Sequence, residues 1–84
     1  MTKIKTTNSF GKWLQQTMTE HGVSVHKLAK TIGIDKRYVT HWIQGTAHPR
    51  LQNTCFLVLS LERLTGVSRL ELFRQICQAI LEDS

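Results

Sequence analysis

The sequence contains little of several features that mark particular classes of protein. It has one proline and two cysteines, and its longest apolar run, residues 55–59, is far shorter than the roughly 18 apolar residues that a membrane helix needs. The polar N-terminus lacks the hydrophobic region of a signal peptide. At 84 residues, the chain is long enough for one small domain. We therefore expect a single soluble domain, residues 1–84, in the cytoplasm.

The cysteines and histidines do not form a recognisable metal or disulfide pattern. Cys55 and Cys77 are too few for a disulfide framework, and we expect both thiols to be buried as small apolar groups. The four histidines are not spaced as HxxxH, and the two cysteines do not form a CxxC pair. The sequence therefore predicts no metal site.

Acidic side chains are also scarce, and their distribution is uneven. Eleven Lys and Arg residues outnumber six Asp and Glu residues. Residues 1–50 carry a net charge of +6, whereas residues 51–84 carry −1. A basic surface of this kind attracts a phosphate backbone.

The sequence shows no pattern of catalytic residues. No Ser/His/Asp or Cys/His arrangement and no glycine-rich phosphate loop is present, so we expect neither an enzyme nor a cofactor.

Residues 24–45, SVHKLAKTIGIDKRYVTHWIQG, predict two short helices joined by a tight turn. Ser24 and Asp35 are residue types that cap helix N-termini, whereas Gly33 and Gly45 are suited to helix ends. The expected core-facing residues are Leu28, Ala29, Ile32, Val39, Trp42 and Ile43. This is the pattern of a helix-turn-helix, and its second helix directs Lys36, Arg37, Thr40, His41 and Gln44 away from the core.

The same stretch resembles the Cro/repressor class of helix-turn-helix proteins from phages and bacteria. The residues that carry the resemblance are the small Ala29, Gly33 followed by Ile34, Val39, Trp42, Gly45 and Pro49. With the flanking helices, the resemblance covers roughly residues 10–73. It implies an all-α fold, a five-helix lambda-repressor-like DNA-binding domain in which helices 2 and 3 form the helix-turn-helix. Val25 departs from the pattern, since many relatives carry a phosphate-binding Gln there.

The resemblance also implies roles for individual side chains against double-stranded DNA. The expected base-reading residues are Lys36, Arg37, Thr40 and His41. The expected phosphate contacts are Lys27, Lys30, Tyr38, Gln44, His48 and Arg50. Three alternatives stay open: Lys36 and Arg37 could hold phosphates instead, Tyr38 could pack against helix 2, and His48 and Arg50 could be solvated loop residues.

The remaining chain predicts three more helices, near residues 10–21, 51–64 and 68–84. Asn8 or Ser9 would cap the first, the second is apolar almost all round and is expected to be buried on most faces, and Ser68-x-x-Glu71 begins the third as a capping box. Residues 1–8 would form a flexible basic arm. The segment 66–84 carries two apolar stripes, of which one needs a partner, and we assign the dimer interface to Leu72, Ile76, Ala79 and Ile80.

These features together favour a dimeric, nucleoid-associated transcriptional regulator. It would act as a repressor on a palindromic operator, with the helix of residues 36–44 in the major groove and half-sites about 34 Å apart. An antitoxin-like interaction protein, whose apolar C-terminal half masks a partner protein, is the alternative. No small-molecule effector and no membrane partner are expected. Phage regulators, restriction–modification controllers and antitoxins all fit the pattern equally well.

Overall fold

The computed structural model describes residues 8–83 and consists of five α-helices, with no strand in that range. The helices are α1 (Ser9–Glu20), α2 (Val25–Ile32), α3 (Lys36–Gln44), α4 (Leu51–Thr65) and α5 (Arg69–Glu82). The prediction of an all-α protein with five helices is confirmed. None of these helices combines the length and apolar character needed to cross a membrane. The predicted basic arm, apart from Asn8, lies outside the described residues.

Polar side chains begin four of the five helices by binding a free backbone N–H group in the first turn. The acceptors are Asn8 for α1, Ser24 for α2, Asp35 for α3 and Ser68 for α5. Helix α4 has Arg50 at its N-cap and no side-chain cap. The predicted bounds of α1, α3 and α4 lie within one residue of the observed ones.

The helices form a closed ring around one hydrophobic core. Helix α1 packs against α3 and α5, α2 packs against α3 and α4, and α4 packs against α5. All five helices contribute to the buried cluster, which contains Phe10, Leu14, Met18, Leu28, Ala29, Val39, Trp42, Leu57, Val58, Leu61, Leu72 and Ile76. Helices α2 and α3 each contact two neighbours in this ring, and their other sides form part of the protein surface.

Hydrogen bonds fasten the last helix to the first. The Trp13 indole Nε1–H donates to Gln75 Oε1 at 2.7 Å, near the middle of both helices. At the start of α1, the backbone N–H and the hydroxyl of Ser9 donate to the Asp83 carboxylate at 3.0 and 2.8 Å. Helix α5 is thus part of the folded unit, and one of its faces lies in the core.

This packing corrects the predicted dimer interface. Leu72, Ile76 and Ala79 are buried within the chain itself, because this stripe of α5 faces α1 and α4. Of the four predicted interface residues, Ile80 is the one that is exposed. The other stripe faces outward, and we call it the outer face of α5: it consists of Leu70, Phe73, Cys77 and Leu81.

Two further expectations about α4 and the cysteines are wrong. Helix α4 buries Leu57, Val58 and Leu61 on one side, but Phe56 and Leu59 are exposed because none of the other four helices covers its opposite side. Cys55 and Cys77 are free and exposed, since each lies on the outward side of its helix. Within residues 8–83, no group of His, Cys, Asp or Glu side chains is arranged to hold a metal ion.

Candidate nucleic-acid interface

A three-residue turn, residues 33–35, joins α2 to α3. Gly33 has a φ of +93°, a conformation that glycine adopts easily, and its N–H donates to the Ala29 carbonyl at 2.8 Å. The Ile34 N–H donates to the same carbonyl at 3.0 Å. Ala29 is buried at this point, where two helices turn sharply. The turn therefore sets the direction in which α3 leaves α2.

Helix α3 has one buried face and one exposed face. Val39 and Trp42 point into the core, and Ile43 packs against its edge. The exposed residues of α3 are Lys36, Arg37, Tyr38, His41 and Gln44, and Thr40 is half-buried. Apart from Thr40, every residue of α3 that the sequence assigned to DNA is therefore accessible to a ligand that approaches from outside.

A cationic cluster lies where α2 meets α3. Lys30 of α2 and Lys36 of α3 line one shallow depression, together with the exposed His26 and Asp35. Within the described residues, Lys27, Lys30 and Lys36 make no ion pair, although the Asp35 carboxylate lies in the same depression as Lys30 and Lys36 and the charge of Lys36 helps to lower its pKa. Such a cluster, formed by two consecutive helices, is suited to an anionic group such as a phosphate.

Arg37 stands apart from this cluster and is bound to Asp35. A single oxygen, Asp35 Oδ1, accepts the backbone N–H of Arg37 at 2.8 Å and the side-chain Nε–H at 3.2 Å. The hydrogen bond from the Arg37 backbone is the main reason that the pKa of Asp35 lies below its ordinary value. Desolvation opposes this shift, whereas the side-chain hydrogen bond from Arg37 and the charges of Arg37 and Lys36 add to it. Asp35 is therefore both the N-cap of α3 and the partner of its arginine.

His41 and Thr40 make hydrogen bonds that restrict what they can offer to a ligand. The Thr46 hydroxyl lies 3.0 Å from His41 Nδ1 and donates to the His41 carbonyl at 3.3 Å. The contact with Thr46 therefore engages Nδ1, whereas Nε2 of His41 makes no hydrogen bond with residues 8–83. The Thr40 hydroxyl donates to the Lys36 carbonyl at 3.2 Å, so Thr40 presents mainly its methyl group.

The other predicted phosphate contacts lie in different surroundings. Lys27, Tyr38, Gln44 and Arg50 are exposed. His48 is also exposed, but it contacts the start of α1: its ring lies edge-on to the Phe10 ring, with 6.5 Å between the centroids, and Asn8 Nδ2 is 3.5 Å from its Nε2. These contacts place His48 in the groove between α1, α5 and the loop before α4.

Sequence reasoning missed three residues of this surface. His26 lies beside Lys30 and Lys36, Thr46 orients His41, and Asp35 binds the Arg37 side chain in addition to capping α3. The spacing of Asp35 and Arg37 was a usable signal, because an N-cap carboxylate can reach a side chain two residues later. His26 and Thr46 gave no such signal, since their neighbours are set by the packing of α2 and by the course of the loop.

Comparison with known proteins adds no relative to this description. No family model, no curated protein and no solved structure matches the chain. The function is therefore inferred from the residues and their geometry.

Proposed function

We propose that this protein is a sequence-specific DNA-binding transcriptional regulator of the Cro/repressor helix-turn-helix type. The observation that carries the proposal is the division of α3 into two faces. Val39 and Trp42 are buried in the core, whereas Arg37, His41 and Gln44 are exposed on the opposite side. A major groove of B-DNA admits one α-helix, and a helix in this position reads bases from its N-terminal part. Helix α3 enters the major groove, and α2 crosses the backbone beside it.

The charge of the surface supports the same orientation. The unpaired Lys27, Lys30 and Lys36 lie on α2 and at the start of α3, where the phosphate backbone runs beside an inserted helix. Arginines in the C-terminal half are, by contrast, partly neutralised: Arg69 pairs with Glu62 at 3.0 Å and Arg74 with Glu71 at 2.6 Å. The net positive charge is therefore concentrated around α2 and α3.

The regulator acts as a homodimer that pairs through the outer face of α5. Leu70 is 79% exposed and Leu81 is 66% exposed, and apolar side chains of this size are rarely left in water along a whole helix face. A two-fold axis near the middle of α5 sets two copies antiparallel, so that Leu70 meets Leu81 of the second copy and Arg69 lies opposite Glu82. Two copies of α3 then face one palindromic operator, and bound there the dimer represses by blocking the promoter.

A DNA titration tests this function. Fluorescence anisotropy with the DNA upstream of the protein's own gene, beside a scrambled duplex, should show tighter operator binding by about 10³ or more. The affinity should fall steeply with salt concentration, because bound counterions are released from the phosphates. Equal binding to both duplexes at every salt concentration would contradict sequence-specific regulation by this upstream site.

The exposed apolar groups also favour a second function, that of an antitoxin-like protein whose C-terminal half masks a partner protein. Leu70, Leu81 and Phe73 would then contact a different protein rather than a second copy. This function predicts no binding to either duplex and a monomer in solution. It also predicts a one-to-one complex with the product of a neighbouring gene, measured by light scattering of the co-expressed pair.

A further inference from the structure

We infer that Asp35 is a positioning residue that fixes the Arg37 guanidinium as the guanine reader of α3, while Lys36 contacts phosphate. The inference rests on the proposed function. It assigns different roles to Lys36 and Arg37, which the sequence left open. It adds a residue, Asp35, that determines specificity without being assigned a DNA contact.

The geometry of the Asp35–Arg37 pair suits this role. Asp35 Oδ1 holds the side chain through Nε alone, and the two terminal guanidinium nitrogens of Arg37 make no hydrogen bond with residues 8–83. The Arg37 side chain remains 80% exposed in spite of the pair. The guanidinium is a planar fork, and a fork held at Nε presents its two terminal nitrogens together, which is the arrangement that binds guanine O6 and N7.

Anchoring also lowers the entropic cost of recognition. A free arginine loses much of its rotamer freedom when it binds a base, whereas an arginine already held by a carboxylate has lost part of that freedom in the unbound protein. Asp35 is itself immobilised, because the same oxygen accepts the backbone N–H of Arg37 at 2.8 Å. The guanidinium is thus tied to the rigid first turn of α3.

Lys36 lies in different surroundings. It shares the depression between α2 and α3 with Lys30, His26 and Asp35, but within the described residues its ammonium group makes no ion pair and no hydrogen bond to that carboxylate. A flexible ammonium group beside other cations has no fixed direction in which to discriminate base edges, but it attracts a phosphate from several directions. The adjacent positions 36 and 37 therefore carry different tasks.

The carboxylate of Asp35 should affect non-specific affinity and base specificity in opposite directions, and an experiment can separate these two effects. A negative charge at the N-terminal end of α3 repels the DNA backbone, so Asp35 weakens binding to every duplex while it sharpens the choice of base at one position. Removing the carboxylate should consequently raise non-specific affinity and lower specificity. A residue that only capped α3 would not produce these opposite changes.

The substitution Asp35→Ser isolates the pair from the cap. Serine already caps two helices of this chain, where Ser24 accepts a backbone N–H at 3.0 Å and Ser68 accepts one at 3.2 Å. A serine at position 35 keeps a cap of the same kind, but its short side chain carries no charge to hold Arg37. Asp35→Asn, which copies the Asn8 cap of α1, is a second variant should the serine protein melt at the assay temperature.

The experiment selects binding sites from a library of random duplexes with wild type, Asp35→Ser, Arg37→Ala, the double variant and Lys36→Ala. Wild type should select a motif with guanine at one position per half-site. Arg37→Ala and Asp35→Ser should both reduce that guanine preference, by about tenfold or more for Arg37→Ala, and the double variant should be no worse than Arg37→Ala. Asp35→Asn should reduce it less than Asp35→Ser, because a neutral oxygen remains.

Lys36→Ala is the matched control at the neighbouring position. It should weaken all sequences about equally and lower the slope of log affinity against log salt by about 1, with the motif unchanged. An unchanged guanine preference in both Asp35→Ser and Asp35→Asn would overturn the inference, as would a loss of preference in Lys36→Ala alone. If wild type selects no motif at all, the proposed function fails instead, so the two failures are distinguishable.

Discussion

At the scale of single residues, three of the six Asp and Glu side chains bind arginines. Asp35 binds Arg37, Glu62 binds Arg69 and Glu71 binds Arg74. Glu62 also accepts the backbone N–H of Arg69 at 2.8 Å and so helps to begin α5. None of the three ion pairs involves a lysine, so within residues 8–83 the lysines of α2 and α3 have no ion-pair partner. The distribution of ion pairs, as well as the composition, thus makes one surface basic.

Glu71 gives a prediction about pH. Hydrogen bonds from Arg74 and from Gln75 lower the pKa of Glu71 from an ordinary value of 4.5 to about 2. A carboxylate with a lowered pKa in the folded state stabilises the fold above its unfolded pKa, and this contribution is lost as the pH falls from 4.5 to about 2. The difference in melting temperature between wild type and Glu71→Gln should therefore shrink over this interval.

Thermal denaturation followed by circular dichroism at several pH values measures this difference. Because the pair is solvent-exposed, the effect should be small and should weaken in salt. Arg74→Gln removes the main hydrogen-bond donor and should reduce the same pH dependence. A gap between wild type and Glu71→Gln that stays constant from pH 4.5 to pH 2 would show that the hydrogen bonds do not act on Glu71 in solution.

At the scale of helices, the α2–α3 unit depends on its turn. Gly33 ends α2 in the left-handed region, and the next two residues lead directly into the Asp35 cap. A Cβ atom added at Gly33 would meet no atom within 4 Å, so a substitution here tests the backbone conformation and nothing else. The position of α3 relative to α2 is therefore controlled by a conformational preference that one residue supplies.

Gly33→Ala should destabilise the protein by about 1–2 kcal/mol, because a Cβ is unfavourable at positive φ. For a chain of this size, that corresponds to a melting temperature lower by roughly 4–8 °C for each kcal/mol. Gly33→Asn is the matched variant and should cost less, since asparagine tolerates this conformation better. Equal melting temperatures for wild type and Gly33→Ala would mean that α2 does not need a left-handed end.

At the scale of the whole molecule, the ring of helices decides which apolar groups are internal. Helix α5 closes the ring between α1 and α4, and this uses its Leu72–Ile76 stripe. The outer face of α5 is left in water, and its residues follow the spacing of one continuous helical stripe. The proposed dimer is thus built on the stripe that the monomer does not need.

Substitutions on the two stripes of α5 should consequently have different effects. Leu81→Glu or Leu70→Glu, on the outer face, should give folded monomers that bind the operator weakly, because a charge there opposes pairing of the two copies. Ile76→Glu, on the inner stripe, should instead cost about 3–5 kcal/mol and leave the chain largely unfolded, because it buries an unpaired charge.

Light scattering and circular dichroism separate these outcomes, with Cys77 as an independent probe. A thiol in the middle of the outer face should form a cross-link between two copies on treatment with a mild oxidant, and Cys77→Ser should abolish it whereas Cys55→Ser should not. Dimers that persist in both Leu70→Glu and Leu81→Glu would rule out this interface.

The sequence by itself determined the helices and the two ends of the α2–α3 turn. Helix caps act on backbone groups within four residues, as Ser24, Asp35 and Gly33 do. Their effects can therefore be predicted without knowledge of the fold. The division of α3 into a buried and an exposed face was equally legible, because Val39 and Trp42 recur at helical spacing.

Only the tertiary structure decided which surfaces remain exposed. Helix α5 carries two apolar stripes of similar strength, and the choice between them depends on how α1 and α4 meet it. For the same reason Cys55 and Cys77 are exposed, and the loop residue His48 lies against Phe10. Local chemistry specifies a helix within a few residues, whereas burial is a property of contacts between residues that are far apart in the chain.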